Sequence, residues 1–298
     1  MDLISIAKPP LFNFEECKWF LDRGYDDCMH QVLETSIRKL IPTPEGNCLI
    51  EVADGDEALE AVIITGPESP AAVTAVRQYL SSWFDMERDL NPLYDLTHQT
   101  KTSWLTDPYQ GLRLVMIPDF FEAISWSVIG QQINLKFAFA LKRRLVELCS
   151  TPHEYEGVEH YTFPSPASVA KLTVAELKER QYSQRKAEYL IGIAQQFEAG
   201  LLSHEQISGL PDTPQMIEAL CAIRGIGEWS ANYVLMKAFQ RMDCITHGDT
   251  GLQAAVKRQL NLDRKPTREE IIEFLKPFKG WESYLVFYLW RTLSDKKT

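Results

Sequence analysis

The sequence predicts an α+β protein in which a small N-terminal antiparallel α/β domain precedes a mostly α-helical domain. Two apolar runs flank Asp54-Gly55, a dipeptide that tolerates the positive φ of tight turns, so residues 48–64 are expected to form a β-hairpin. From Pro118 onward the strand signals vanish and helix-start signals follow one another. Residues 150–166 are expected to be the longest turn-rich connection within this helical part.

Capping residues mark the helix boundaries. A helix is expected over residues 70–83, after the hairpin. Asp119 and Glu122 have the capping-box spacing, and Asn134 can cap the next helix after a break at Gly130. Further starts are indicated at Ser165-Pro166, at Thr173 with Glu176, at Ser183 and at Thr213-Pro214.

The composition is that of an ordinary globular protein. The 298 residues are 45% hydrophobic and 24% charged, which suggests about two domains. The first residues lack the basic and apolar regions of a secretion signal, and no apolar run approaches the roughly 18 residues of a membrane span. A cytoplasmic protein is therefore expected. The six cysteines are scattered without a C-x-x-C pair, so neither a zinc site nor an iron–sulfur cluster is expected.

The negative charge is concentrated in the first third of the chain. Residues 1–98 hold 7 Lys and Arg against 18 Asp and Glu, a net charge of −11. Residues 99–298 hold 24 against 23, a net charge of +1. Because the larger part is neutral, the total charge of −10 does not exclude a nucleic-acid partner.

The segment RGIGEWSANYV, residues 224–234, places two glycines between helix patterns. One helix is expected to end near Ile223 and the next to begin near Glu228, with a turn of about four residues between them. Gly225 and Gly227 permit a tight backbone and let a phosphate approach the amides of the second helix. Plain helix C-capping is the alternative for such glycines.

Asp249 lies immediately before another helix pattern, in ITHGDTGLQAAVKRQL. The commonest role of an aspartate at this place is that of an N-cap. The helix dipole also favours the ionised carboxylate, which suits a group that faces a developing positive charge. The two roles are compatible.

Several segments together resemble the helix-hairpin-helix DNA glycosylase superfamily. LCAIRGIGEWSANYVLMKAF followed by HGDTGLQAAV is similar to its hairpin and aspartate signature. FEAISWSVIGQQINLKFAFALKRRLV, FPSPASVAKL, SQRKAEYLIGIAQQFEAG and KGWESYLVFYLW resemble its alkyladenine branch, bacterial 3-methyladenine DNA glycosylase II. The resemblance covers roughly residues 111–293. It includes the first domain only through that domain's position and α+β pattern.

The resemblance implies a two-lobed helical domain. It assigns residues 118–240 to a lobe with the helix-hairpin-helix and residues 241–298 to a C-terminal lobe with the catalytic aspartate. Residues 99–117 would be a connection that joins the C-terminal lobe, and residues 1–98 would form the N-terminal domain.

The resemblance also implies roles for individual residues. These roles are catalysis by Asp249, a base pocket of Trp229, Tyr233 and Trp290, a DNA wedge of Gln132 and Gln131, and a phosphate site at Gly225, Ile226 and Gly227. A Na+ or K+ ion is possible at the backbone carbonyls of Cys221, Ile223 and Gly225, and no cofactor is required. Without the resemblance, the aromatic residues could be helix core and the glutamines an ordinary polar turn.

The chemistry of alkylated DNA explains why residues of these types would be needed. An N-alkylated purine is a cation with a weakened glycosidic bond, and each aromatic ring could attract it by about 0.5–2 kcal/mol. Asp249 would stabilise the oxocarbenium character of the sugar and orient or deprotonate the attacking water. Strand-cutting branches carry a lysine where this chain has Trp229, so base removal without strand cleavage is implied. The expected partner of the monomer is double-stranded DNA that contains damaged bases, and no membrane is expected.

Three positions depart from the family's pattern. Arg224 replaces the usual proline, Glu228 lies near the expected phosphate, and Thr250 follows the catalytic position, where some members have an aromatic residue. They could alter the phosphate contact, the anion affinity and the shape of the pocket. His247 is expected to be structural or exposed, without an assigned role.

Three other functions remain open. The same chemistry could act on deaminated or oxidised bases, such as hypoxanthine, uracil or oxidised purines. A non-catalytic lesion-binding protein could use the hairpin as a clamp, although a clamp does not need the Asp249 carboxylate. A helical scaffold with an acidic partner-binding domain would fail to bind duplex DNA even at low salt.

Overall fold

The N-terminal part of the protein is built on one antiparallel sheet. The computed structural model describes residues 3–294. Its five-stranded sheet has the order β1-β5-β4-β3-β2. The strands are β1 (Ile4–Ala7), β2 (Gln31–Val32), β3 (Ser36–Thr43), β4 (Gly46–Asp54) and β5 (Ala58–Thr65).

The predicted hairpin is confirmed as strands β4 and β5. Asp54 pairs with Leu59 in the antiparallel register. The Gly55 amide donates to the Ala58 carbonyl at 3.0 Å and closes the turn. Val52 and Leu59 are buried, which agrees with strands that place one face against a core.

Within residues 3–294, three helices accompany the sheet, and the second of them packs against strands β1 and β3. Helix α1 (Phe14–Leu21) begins after its N-cap Asn13. Helix α2 (Pro70–Trp83) has the predicted bounds, because Ser69 caps it and Pro70 suits its first position. Helix α3 (Asn91–Gln99) leads to two short 3-10 turns, Ser103–Leu105 and Asp107–Tyr109.

The rest of the described chain is mostly helical, so the predicted fold class is confirmed. A further 3-10 turn spans Lys276–Phe278. The helices are α4 (Phe120–Ile129), α5 (Leu135–Cys149), α6 (Pro166–Ala170), α7 (Val174–Glu179), α8 (Gln184–Glu198), α9 (His204–Ser208), α10 (Thr213–Cys221), α11 (Glu228–Ala238), α12 (Thr250–Gln259), α13 (Arg268–Leu275) and α14 (Glu282–Thr292). No helix between residues 3 and 294 is long and apolar enough to span a membrane.

Most predicted caps are confirmed, and two details differ. The side chains of Asp119 and Asn134 accept backbone amides at the starts of α4 and α5. Glu122 turns its carboxylate to Lys142, at 3.0 Å, so it does not complete the predicted capping box. Helix α10 is capped by Asp212, one residue before the predicted start.

The turn-rich connection contains a small hairpin that the sequence did not predict. Strands β6 (His153–Tyr155) and β7 (Val158–His160) pair with each other. His153 Nε2 lies 2.7 Å from the hydroxyl of Thr65, and Arg38 binds Glu156 at 2.6 Å. This hairpin therefore packs against the N-terminal sheet.

The final helix joins the two parts of the molecule. On α14, the Tyr284 hydroxyl donates to Asp85 at 2.7 Å, and the Tyr288 and Tyr94 hydroxyls are 2.9 Å apart. A single apolar core runs from the sheet through α14. The domain boundaries near residues 98, 117 and 240 stay predictions.

Candidate functional site

The two hairpin glycines have different structural roles. Helix α10 ends at Cys221, two residues before the predicted end, and α11 begins at Glu228 as predicted. Gly225 has φ +97°, and a Cβ there would overlap the Tyr189 ring and lie 2.9 Å from the Tyr189 Cβ. A Cβ on Gly227 would meet nothing within 4 Å. The backbone therefore requires glycine at 225, whereas glycine at 227 keeps an open approach.

Helix α11 starts with uncapped amides beside this opening. Its N-cap is Gly227, which has no side chain to accept them. The first-turn amides and the helix dipole together form a suitable place for an anion. Ile226, between the two glycines, is buried and fixes the hairpin to the core.

Two charged residues that depart from the family's pattern are paired with other side chains. Arg224 binds Glu188 at 2.8 Å and lies over the Tyr189 ring. Glu228 accepts two hydrogen bonds from Arg268, at 2.8 and 2.5 Å. The positive charge of Arg268 thus offsets the negative charge of Glu228, which lies near the anion-binding position at the start of α11.

The two adjacent glutamines of the predicted wedge differ in their contacts and exposure. Gln131 donates from Nε2 to the Gly225 carbonyl at 2.9 Å and to the Ser230 hydroxyl at 3.0 Å. Gln132 is exposed and has a left-handed backbone, with φ +56°. Gln131 therefore holds the hairpin in place, and Gln132 is the glutamine with an accessible side chain.

Asp249 caps α12 and is bound by a second helix. Its Oδ1 accepts the Leu252 amide at 2.6 Å and Trp290 Nε1 at 2.9 Å. A Cβ on Gly251 would lie 3.0 Å from that oxygen and 3.2 Å from the Trp290 ring. Glycine at 251 lets the tryptophan close on the carboxylate.

The environment of Asp249 acts on its pKa in both directions. Burial raises the pKa of Asp249 above its ordinary value. The amides of Leu252 and Gly251, the Trp290 indole and the charge of Arg23 oppose this rise. From the sequence, the helix dipole is expected to favour the ionised carboxylate. That expectation does not include burial, whose effect on the pKa of Asp249 is larger than that of the hydrogen-bond donors.

Two of the three predicted aromatic residues stack on each other, and the third binds Asp249. The rings of Trp229 and Tyr233 stack, with centroids 5.6 Å apart and planes at 25°. Tyr233 is buried, and burial raises its pKa to about 12. Trp290 is bound to Asp249, and Trp229 Nε1 is buried without a hydrogen-bond partner among residues 3–294.

Tyr233 also lines a cleft that residues from both parts of the chain form. Helices α4 and α5 contribute Trp126 and Phe139 to its wall, and the chain after α1 contributes Arg23 and Tyr25. The N-terminal domain thus forms part of the cleft. The sequence did not predict this contribution, because the residues that meet here are about two hundred positions apart.

Other residues of the region have limited roles. Thr250 is exposed at the first position of α12. His247 is partly buried, and burial lowers its pKa, followed in effect by the charge of Arg268. Its Nδ1 is buried without a hydrogen-bond partner among residues 3–294. That His247 is only structural stays a prediction.

Two of the three carbonyls at the expected cation site already accept hydrogen bonds, and the cation itself stays a prediction. The Ile223 carbonyl accepts the Ile226 amide at 3.0 Å, and the Gly225 carbonyl accepts Gln131. Each oxygen retains a second lone pair, and neutral oxygens suit a monovalent ion. Within the part of the chain that the structure describes, no group of three His, Cys, Asp or Glu side chains could hold a metal ion.

The chain is similar to proteins of one known family. A family model described as "HhH-GPD superfamily base excision DNA repair protein" matches residues 125–279. A DNA-3-methyladenine glycosylase of Bacillus subtilis is 35% identical over 98% of this chain and 97% of its own length. DNA-3-methyladenine glycosylase 2 of Escherichia coli is 29% identical over 61% of each chain. The solved structure of a 3-methyladenine DNA glycosylase from Archaeoglobus fulgidus superimposes with a TM-score of 0.82, at 24% identity over 99% of each chain.

Proposed function

Because the chain belongs to the HhH-GPD superfamily of base excision DNA repair proteins, we propose that it is a DNA glycosylase for alkylated bases in duplex DNA. The substrates would include 3-methyladenine and 7-methylguanine. The observation that carries the proposal is the Asp249 carboxylate, which caps α12 and accepts the Trp290 indole N–H at 2.9 Å. The similarity to the Bacillus subtilis glycosylase over nearly the whole chain supports it.

DNA would be held at the hairpin and opened at the neighbouring turn. The α11 amides would bind one backbone phosphate, and a Na+ or K+ ion at the hairpin carbonyls would add positive charge beside it. Rotating a nucleotide out of the duplex costs a few kcal/mol and leaves a gap. The accessible side chain of Gln132 would fill that gap. No further cofactor enters the proposal, and the monomer is its functional unit.

The extruded base would be held by the aromatic residues. Trp229 and Tyr233 present stacked electron-rich rings on one face of α11. Trp290 stands beside the carboxylate on α14. Stacking and cation–π attraction favour a positively charged alkylpurine over an undamaged neutral base.

Asp249 would act when the glycosidic bond breaks. The bonding electrons leave with the base, so a cationic alkylpurine departs as a neutral molecule, and the sugar becomes oxocarbenium-like. The ionised Asp249 stabilises that charge. Water then forms the new bond to C1′ and gives its proton to the carboxylate or to solvent. Trp229 offers no amine for a Schiff base, so the product is an intact abasic strand and borohydride traps no protein–DNA adduct.

The test compares Asp249→Asn with the wild type on methylated duplex DNA. We expect the variant to bind DNA but to release 3-methyladenine and 7-methylguanine at least a hundredfold more slowly, because the negative charge is lost. Asp212→Asn is a matched control, since Asp212 also caps a helix by accepting the Gln215 amide at 2.9 Å. This control should retain wild-type release.

Near-normal release by Asp249→Asn would overturn the catalytic assignment. If the wild type binds damaged duplex DNA and releases no base, the protein is a lesion-binding clamp instead.

A further inference from the structure

Arg23 is a cleft residue whose hydrogen-bonding groups are not used by the protein. Its guanidinium carbon lies 4.1 Å from the centre of the Phe20 ring and 5.9 Å from that of Tyr25. Among residues 3–294, no side chain or carbonyl accepts a hydrogen bond from it, and no carboxylate pairs with it. Five N–H donors therefore remain for another partner.

A structural arginine of the same protein shows the contrast. Arg113 is fully buried. Its Nε and Nη1 donate to the carbonyls of Leu11, Asp85 and Arg88, at 2.6 to 2.8 Å, and only its Nη2 lacks a partner among residues 3–294. A guanidinium that only supports the fold is expected to use most of its donors on such acceptors. Arg23 uses none of its donors in this way, so they stay available to a ligand.

The chain around Arg23 is fixed to the helical domain, so the side chain does not lie on a loose loop. We call residues 22–30 the Arg23 segment. Within it, the Tyr25 ring stacks on Phe139 with centroids 5.1 Å apart and planes at 13°. Asp26 accepts Arg143 Nε at 2.7 Å, and Asp27 accepts Lys142 at 3.3 Å. These contacts position Arg23 on the wall of the cleft.

Arg23 lines the cleft together with Tyr233, and contacts between rings lead from Phe20 beneath it toward Trp290. Its charge acts on both Tyr233 and Asp249. On the Asp249 side, Phe20 contacts Phe287 at 4.8 Å between centroids, and Phe287 contacts Trp290 at 6.1 Å. A base stacked at Tyr233 with its sugar near Asp249 would present an edge toward this guanidinium.

We propose that Arg23 reads the acceptor edge of the extruded base and, among damaged purines, favours neutral 6-oxopurines such as hypoxanthine. Undamaged guanine has the same edge, but its intact base pair makes it costlier to extrude. A guanidinium can donate two parallel hydrogen bonds to O6 and N7 of such a purine. In 7-methylguanine the methyl group blocks N7 and the ring is positive, so the same arginine gains no bidentate contact and repels the base. This inference rests on the proposed glycosylase function and adds a specificity-determining residue from the N-terminal domain.

The test measures single-turnover release of hypoxanthine and 7-methylguanine from one duplex sequence, with enzyme in excess. We expect Arg23→Gln to release hypoxanthine about tenfold more slowly or worse, since a bidentate contact to a purine contributes that much discrimination. Its release of 7-methylguanine should stay equal or rise, because a repelling charge is gone. The ratio of the two rates therefore changes by tenfold or more.

Arg23→Lys tests whether the planar hydrogen-bonding geometry of arginine matters or only its positive charge. Lysine keeps the positive charge but cannot form the planar bidentate contact. We expect it to lose hypoxanthine release while leaving 7-methylguanine release near the wild-type rate. Should Arg23→Gln fail to fold, as judged by its melting temperature, the lysine variant carries the same comparison.

The outcomes distinguish this inference from the proposed function. A wild type that releases neither base contradicts the glycosylase function itself. A wild type that releases both, with a rate ratio changed less than twofold by either substitution, overturns only the role of Arg23. An equal loss of both activities would make Arg23 a structural residue and would also overturn it.

Discussion

At the residue scale, the carboxylate of Asp249 combines burial with several donors. Burial favours its neutral form, whereas the Leu252 amide at 2.6 Å and the Trp290 indole at 2.9 Å favour the ionised form. The reaction proposed here needs the ionised form. Trp290, which the proposal places against the base, therefore also favours the charged form of Asp249.

Trp290→Phe tests this second role, because phenylalanine keeps an aromatic ring and removes the N–H. Loss of the donor raises the pKa of Asp249. Excision should therefore begin to fail at a higher pH as the solution is acidified, with a rate about tenfold lower near neutral pH. The measurement is the pH profile of single-turnover release. Trp281→Phe is the control, since Trp281 lies at the start of the same helix and packs on Tyr284 at 5.9 Å. Identical acid limbs for both variants would contradict the prediction.

The sequence predicted single residues where a local motif surrounds them. Asp249 was recognisable because it precedes a helix in a motif with the hairpin, and the structure confirms it as an N-cap. Gln131 and Arg23 were not predictable in this way. Gln131 binds Gly225, and Arg23 faces Tyr233, across distances in the chain that no local pattern spans.

At the element scale, helix boundaries were predictable because caps are local. Ser69, Asn134 and Ser183 each accept an amide three residues ahead. The β6–β7 hairpin escaped prediction, because three-residue strands are too short for an alternating pattern. Its structure depends on contacts with the N-terminal sheet, such as that between His153 and Thr65.

In the hairpin between α10 and α11, one glycine is expected to affect stability and the other the proposed DNA binding. Gly225→Ala places a Cβ on the Tyr189 ring at a positive φ, so the free energy of unfolding should fall by about 1–3 kcal/mol. Gly227→Ala meets no neighbour within 4 Å and should cost less than about 1 kcal/mol. Its methyl group stands in the open approach to the α11 amides, so duplex DNA should bind more weakly. Urea unfolding and fluorescence anisotropy measure the two effects.

The two alanine variants act as controls for each other. If Gly227→Ala binds DNA as tightly as the wild type while remaining folded, the hairpin amides are not the phosphate site.

At the scale of the whole molecule, the N-terminal domain and the helical domain share buried charges beneath the cleft. Lys142 on α5 binds Asp27 of the Arg23 segment at 3.3 Å and Glu122 of α4 at 3.0 Å. All three side chains are mostly shielded from solvent. The placement of the first domain, and with it of Arg23, depends on this cluster. No sequence pattern predicted it, because each charge is ordinary until the fold brings the three together.

The acid sensitivity of the protein should depend on Asp27. Burial alone would raise the pKa of Asp27, but the charges of Lys142 and His30 more than offset it and hold the pKa below its ordinary value. Asp27 therefore stabilises the folded state above its unfolded pKa of about 4, and this contribution is lost as the pH falls further. Asp27→Asn should lower the free energy of unfolding at pH 7 by about 1.5–3 kcal/mol, because Lys142 loses one of its two buried partners and keeps Glu122. It should also flatten the decline of stability below about pH 4.

Asp26→Asn is the matched control, since the Asp26 pair with Arg143 is exposed and contributes about 1 kcal/mol or less. Urea unfolding at several pH values measures both variants, and equal losses for the two would show that the buried cluster does not hold the domains together.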